Sequence, residues 1–312
     1  MEIVYFDIND PIEINGSLSA CIGYFDGLHR GHQALVNKVK EEAKKNGSRT
    51  CLITFFPDPK DVITNTKNKH IQDFDTRLKI IESMGIDVCV IGHFSIELCH
   101  TSKDDFFNKV LMNLNLKCLV CGFDFHYADK GSGNYETLMA AAKDKFDVYV
   151  IDSVNYHGEK ISSTRIRNAI IDGNIELVNN MLGYDYHLRG QVVHGKRYGH
   201  ILGFPTANLS INDETLILKE GVYIGYTKVN DVYYKSMINI GYNETIASDN
   251  PKTIEVHILD FNDDIYDCEI LVYFTTKIRD TKKFASLEEL KKQLSADVKK
   301  AGDLDERQDF IL

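Results

Sequence analysis

Apolar and polar residues follow two different rhythms along this chain. Up to about residue 183, short unbroken apolar runs alternate with amphipathic stretches. "RTCLITFF" (49–56), "DVCVIGHF" (87–94), "LKCLVCGFDF" (116–125) and "DVYVIDSV" (147–154) read as buried strands. Between them, "HQALVNKVKEEAKK" and "TRLKIIESMG" carry helical periodicity, the second closing on Gly85 as a C-cap. Such alternation predicts βαβ units and a parallel sheet with helices on both faces. Ligands of such sheets bind beyond the C-terminal strand ends.

After about residue 186 the rhythm changes. "HLRGQVVHG", "GVYIGYTKVN", "VYYKSMINIG", "KTIEVHILDF" and "YDCEILVYFTT" are short strands, several of them alternating, separated by Gly, Asn and Asp turns. This predicts a small antiparallel barrel or sandwich. The closing stretch "SLEELKKQLSADVKKA" has Ser286 and Glu289 at capping-box spacing, with Leu287, Leu290, Leu294 and Val298 on one stripe. We expect an α/β domain over residues 1–184 and a β domain with a terminal helix over 185–312, the boundary falling near "GYDYH".

The 312 residues, 43% hydrophobic, suffice to bury a core in each domain. A net charge of -10 argues against nucleic acid as a partner, but a small anion needs only local positive groups. No basic N-terminal region precedes an apolar run, and no apolar stretch approaches the roughly 20 residues of a membrane span. Seven cysteines, an odd number, read as reduced thiols and a cytoplasmic location. Cys118 and Cys121 have metal or redox spacing, but on a strand they point to opposite faces, which favours apolar strand cysteines. Only 5 prolines are present, so motifs that normally carry one can lack it here.

Candidate chemistry starts at "IGYFDGLHRGHQALV" (22–36). Its glycines let backbone approach a ligand, and the helix N-terminus that follows is a ready anion site. His29 and His32 stand at its mouth. Surface or N-cap histidines and a zinc pair are the other readings, the zinc one lacking further ligands. "KISSTRIRNAI" places Ser162, Ser163 and Thr164 at a helix start, with Arg165 and Arg167 in the first turns. These are either a polyphosphate grip or a cap with solvated arginines. Asp124, at a strand end, is a ligand contact or a turn cap.

In "GQVVHGKRYGHILGFPTANL" (190–209), Gly195, Gly199 and Gly203 imply a loop that hugs a ligand, and Pro205 fixes φ before Thr206. If this piece is extended, Thr206 and Asn208 face the same way as hard oxygen ligands for Mg2+ on ATP phosphates. The alternative is a glycine-rich turn with polar decoration. In "TIEVHIL", Glu255 and His257 share the face opposite Ile254, Val256 and Ile258. Glu255 is then a general base or a solvated strand residue.

The motifs "GYFDGLHRGHQAL", "TFFPDP", "VCGFDFHYADKGSGN" and "ISSTRIR", in this order over about 15–183, resemble the adenylyltransferase half of bacterial bifunctional FAD synthetases, within the HxGH nucleotidyltransferase superfamily. "GQVVHGKRYGHILGFPTANL", "EGVYIGYT", "INIGYN", "TIEVHILDFNDDIY" and "KIRDTKKFASLEELKKQLSAD", over about 187–304, resemble the riboflavin kinase domain. The resemblance implies a Rossmann-like N-terminal domain with a parallel sheet and a six-stranded antiparallel Greek-key β-barrel. It implies ATP-dependent phosphorylation of riboflavin to FMN, then adenylylation of FMN to FAD with release of pyrophosphate, with Mg2+ as cofactor.

By that resemblance His29 and His32 bind the triphosphate and the transition state, and Gly23, Phe25, Asp26, Gly27 and Gly31 frame the nucleotide. Ser163, Thr164 and Arg167 hold the β and γ phosphates. Gly195, Lys196, Gly199, Gly203 and Pro205 wrap the second nucleotide, and Thr206 and Asn208 hold Mg-ATP. Glu255 accepts the proton of the riboflavin 5′-hydroxyl, while Asp124 and Arg279 are flavin-side residues. The chain departs from the family pattern at Asp58, usually histidine, and at Phe125-His-Tyr-Ala128, usually Phe-Arg-Phe-Gly. Lys219 and Glu244 stand where the family tends to have prolines. The first two departures motivate a second expectation, a riboflavin kinase with a degenerate first half. A non-catalytic flavin-binding protein is a third. The oligomeric state is left open.

Overall fold

The computed structural model describes residues 1–10, 12–195, 203–242 and 252–306. The chain divides into two compact units, Met1–Asn68 with Phe74–Ser162, and Lys69–Asp73 with Ser163–Ile311.

The first unit is built on six strands, β1 (Glu2–Phe6), β2 (Leu18–Ile22), β3 (Arg49–Phe56), β4 (Val88–His93), β5 (Leu116–Gly122) and β6 (Asp147–Ile151). All pair in parallel, in the order β1-β4-β3-β2-β5-β6. The central strand β2 is buried at every residue, as an apolar run flanked on both sides requires. From β2 the chain winds outward through β3 to β4, then returns to β5 on the other side. The order reverses between β2 and β5, and the loops leaving their C-terminal ends flank the crevice where such sheets take ligands. Strand β1 escaped the sequence reading because it is an edge strand with only Phe6 buried, Tyr5 being 67% exposed.

Helix α1 (Arg30–Asn46) joins β2 to β3 and buries Leu35, Val36, Val39 and Ala43. It stops at Gly47, whose φ of 60° lies in the left-handed region. Helix α2 (Phe74–Ser83) precedes β4 and buries Arg77 along with Ile80 and Ile81. Cys118 and Cys121 are both buried, and burial pushes both thiols up, Cys121 to about 12. They stay protonated, which suits packing and not metal binding.

In the second unit, strands β7 (His187–Val193), β8 (Ala207–Ile211), β9 (Gly221–Val229), β10 (Val232–Tyr242), β11 (Lys252–Ile258) and β12 (Glu269–Arg279) close an antiparallel barrel in the order β7-β8-β11-β10-β9-β12. Strand β8 was only a conditional expectation, since Leu209 is its one buried residue. Helices α3 (Ser163–Asp172) and α4 (Ile175–Leu182) group with the barrel. Asn179 of α4 donates to the Phe274 carbonyl at 2.8 Å and accepts from the Tyr186 N–H at 2.8 Å. Residues 69–73 also belong here. The His70 N–H donates to the Glu214 carbonyl at 2.7 Å, the Leu216 N–H donates to the His70 carbonyl at 2.8 Å, and Gln72 donates to the Tyr184 hydroxyl at 2.6 Å.

The terminal helix α5 (Leu287–Gly302) makes half of the expected capping box. Ser286 accepts from the Glu289 N–H at 3.1 Å, but the Glu289 carboxylate reaches the Ala285 N–H instead of that of Ser286. Leu294, Val298 and Ala301 pack against Val222, Ile224 and Met237, whereas Leu287 stays 65% exposed, so the apolar stripe docks only over its later turns. Lys219 donates its backbone N–H to Ile170, a bond that proline could not make. Glu244 lies outside the described residues.

Candidate active sites

The loop leaving β2 turns sharply before α1. Phe25 and Leu28 take φ of 61° and 39°, and Gly27 takes 81°. The turn is held because Phe25, Asp26 and Leu28 are all buried. It delivers His29 as the N-cap of α1, and His29 Nδ1 accepts from the His32 N–H at 3.3 Å. The two imidazoles stack with centroids 3.7 Å apart and planes 12° from parallel, and the Phe25 ring meets His32 edge-on at 5.1 Å. A Cβ on Gly31 would stand 3.1 Å from the His29 ring, so glycine between the histidines keeps that ring in place.

Near-parallel rings aim their in-plane lone pairs alongside one another, which is poor geometry for one shared zinc ion. Burial lowers the pKa of His29 to about 4, with Asp26 pulling against it, and holds His32 well below the ordinary range, aided by His29 and Arg77. Both imidazoles are therefore neutral near pH 7 and act as hydrogen-bonding groups, not as cations. His32 Nδ1 is buried without a hydrogen-bond partner, an orphan that a ligand can satisfy.

Across the switch point, Asp124 follows β5, and its carboxylate pairs with Lys160. The Lys160 ammonium also lies 4.5 Å over the Phe123 ring. Lys160, a cation beside the expected flavin contact, was missed because two-residue strand Glu159–Lys160 has no periodic signature. Asp58 is 7% exposed and caps the short helix Pro59–Thr64, accepting from the Lys60 N–H at 2.7 Å. Its departure from histidine thus has a structural use. Ala128 has φ 64° and ψ -176°, a region almost reserved for glycine. Ser163, Thr164 and Arg167 stand in the opening turns of α3, in the second unit.

In the barrel, Asn208 on β8 is in register with Glu255 on β11 and with Val193 on β7. Asn239 on β10 is in register with Glu255 from the other side. Residues directly opposite across a ladder put their side chains on one face, so Glu255 stands between two amides. Asn239 was missed as a site residue, although it alternates with Ile238 and Ile240 in "INIGYN". A Cβ on Gly195 would collide with the Asn208 amide, so only glycine lets this loop approach β8. His257 Nδ1 donates to the Pro205 carbonyl at 2.7 Å, which pins the backbone just before Thr206. Gly203 takes φ 85°. Lys196 and Gly199 lie outside the described residues.

At the end of β12, Arg279 gives Nε and Nη2 to Asp297 Oδ2, each at 2.9 Å. The Asp297 side chain is fully buried and also accepts from Gln293 at 2.9 Å. The Arg279 guanidinium is fixed by α5 before any ligand arrives.

Residues 12–165 match the family model FAD synthetase, and residues 182–304 match the model Riboflavin kinase. The chain is 36% identical over 278 residues to the bifunctional riboflavin kinase/FMN adenylyltransferase of Listeria monocytogenes, covering 88% of each. It is 33% identical to the protein of the same name from Bacillus subtilis, covering 90% of each. A crystal structure from Streptococcus pneumoniae described as a macrolide-efflux protein matches with a TM-score of 0.90 at 31% identity, covering 98% of this chain and 100% of that one.

Proposed function

The chain belongs to the bifunctional riboflavin kinase/FMN adenylyltransferase family, and we infer from this and from its two constellations that it makes FMN from riboflavin and FAD from FMN. We divide the labour at 1–184 for adenylyl transfer and 185–312 for the kinase, a division supported by the matched spans 12–165 and 182–304.

The observation that carries the kinase reading is the pairing of Glu255 with Asn208. Glu255 takes the proton from the riboflavin 5′-hydroxyl as that oxygen attacks the γ-phosphorus of ATP, and ADP leaves. The Thr206 hydroxyl and the Asn208 amide are hard oxygens of the kind Mg2+ prefers, and they would hold it. When bound, the ion neutralises phosphate charge. Gly195, Gly203 and Pro205 shape the nucleotide loop, which Lys196 and Gly199 complete. Arg279 serves the flavin side.

In the first unit an FMN phosphate oxygen attacks the α-phosphorus of ATP, and pyrophosphate leaves. No covalent enzyme intermediate is needed, so catalysis is positioning plus charge stabilisation. His29 and His32 contact the triphosphate as neutral hydrogen-bonding groups. Gly23, Phe25, Asp26, Gly27 and Gly31 frame the nucleotide, and Asp124 faces the flavin. The protein works in the cytoplasm on small molecules and not on nucleic acid. That reading is supported by the net charge of -10 and by seven free thiols, and no helix of the described residues is long and apolar enough to cross a membrane.

The test is direct. Purified protein with riboflavin, ATP and Mg2+ is sampled over time and the flavins separated by chromatography. FMN followed by FAD is the expected course. FMN alone would refute the adenylyltransferase assignment, and no FMN would refute the role of Glu255.

A further inference from the structure

Arg77 lies on α2, outside every motif that carries the chemistry, yet it is 1% exposed. Its Nη1 donates to the Tyr24 carbonyl at 3.0 Å and its Nη2 to the Tyr24 hydroxyl at 3.1 Å. The guanidinium carbon lies 4.4 Å from the centroid of the Tyr24 ring and 5.3 Å from that of Phe74. Nε is buried without a hydrogen-bond partner, and among the described residues no carboxylate comes within ion-pair distance. Burying a cation with only neutral partners is unfavourable for folding, and a packed apolar residue would serve the core better. The buried charge therefore calls for a reason beyond stability.

The geometry supplies one. The Tyr24 carbonyl is gripped twice, by Arg77 and by the buried Thr54 hydroxyl at 3.1 Å. Tyr24 immediately precedes Phe25, whose left-handed backbone puts its ring against His32. His32 in turn stacks on His29. A rigid path thus runs from the guanidinium through Tyr24 and Phe25 to the histidine pair. Among the described residues no carboxylate pairs directly with the positive charge at its foot, although the buried Asp26 and Asp58 both act on the Tyr24 hydroxyl that Arg77 holds.

We propose that Arg77 is a positioning residue for adenylyl transfer, clamping Tyr24 so that Phe25, His32 and His29 are set for the ATP polyphosphate, and supplying positive charge beneath it. This rests on the adenylyltransferase reading of the first unit. It goes beyond that reading by adding a residue that touches neither substrate. The charge of Arg77 also reaches His32, where it opposes protonation after burial and His29.

The test compares wild type, Arg77→Lys and Arg77→Met, each as the full chain. FAD formation is followed from added FMN, and FMN formation from riboflavin is the internal reference. Arg77→Met should lower kcat/KM for FAD formation by about 10²-fold, with KM for ATP raised, as for a displaced catalytic group. Arg77→Lys keeps the charge and one donor and should recover most of the loss. FMN formation should be unchanged in both. Amide hydrogen exchange gives a readout independent of activity. Arg77→Met should speed exchange across residues 23–32 and leave 49–56 and 116–122 as in wild type.

A wild-type KM for ATP in Arg77→Met, a lysine variant as impaired as the methionine one, or faster exchange throughout the first unit would each overturn the proposal. A wild-type protein that makes no FAD refutes the adenylyltransferase reading instead, and the exchange measurement then still decides whether Arg77 holds the loop.

Discussion

Asn208 and Glu255 stand directly opposite one another across the β8–β11 ladder, although 46 residues of sequence, by their numbering, separate them. Asn239 flanks Glu255 on the other side. The barrel thus brings one carboxylate and two amides into a single row on its wall, held by backbone register and not by long flexible side chains. A carboxylate fixed in this way would need little reorganisation to act as the proposed base.

Glu255→Gln keeps the shape and the ladder but removes the proposed base. Formation of FMN from riboflavin should fall by about 10²–10⁴-fold. Conversion of added FMN to FAD should be unaffected. Chromatography of both reactions checks this, and parallel loss of the two activities would contradict separate sites.

Gly31→Ala separates helix stability from catalysis. Alanine is the better helix former by about 1 kcal/mol, and the site lies in the first turn of α1. Its methyl, however, would press on the His29 ring at 3.1 Å. We expect FAD formation to fall by tenfold or more, with thermal stability unchanged or raised. Unimpaired FAD formation would show that the imidazole stack tolerates displacement.

Ala128→Gly relieves a backbone conformation that costs a non-glycine residue about 1–3 kcal/mol. Glycine returns some of that gain to unfolded-chain entropy, so a net stabilisation of about 1 kcal/mol is expected. Urea unfolding of the two proteins measures it. A destabilised variant would rule out strain at this position.

Stability should depend on pH through His29. Its folded pKa of about 4 lies below the ordinary imidazole value of 6.5, so between these limits the unfolded chain binds a proton that the folded chain refuses. Stability is therefore full above about pH 6.5 and declines as pH falls toward 4, and His32 acts in the same direction. Denaturant unfolding at pH 5 and 7.5 should show a smaller loss for His29→Gln than for wild type. Equal losses would place the pH dependence elsewhere.

The fold was legible where burial is continuous. β3 to β6 and most barrel strands announce themselves as apolar runs or alternation, and the Gly-rich turn before α1 and the glycine loop before Thr206 are what suggested phosphate ligands. What could not be read depends on tertiary pairing. β1 and β8 bury one residue each, so neither has a pattern. Asn239 acquires meaning only from register with Glu255. Arg77 sits among Asp75, Lys79 and Glu82 on an amphipathic helix and looks like one more solvated charge, until Tyr24 folds over it. Lys160 is a similar case, visible only once β5 delivers Asp124.

The short stretch 69–73, hydrogen-bonded to Glu214, Leu216 and Tyr184, constrains how this gene could be divided. Neither a protease cut nor a gene fission at residue 184 would release an intact barrel unit. The liberated C-terminal fragment would leave behind the strap beside residues 214–216, which borders the polypeptide between β8 and β9. Free-standing descendants of the kinase half would have to replace that strap, or cover the exposed Glu214 carbonyl and Leu216 N–H with solvent or a new segment. The two activities are thus fused by interleaving as well as by sequence order.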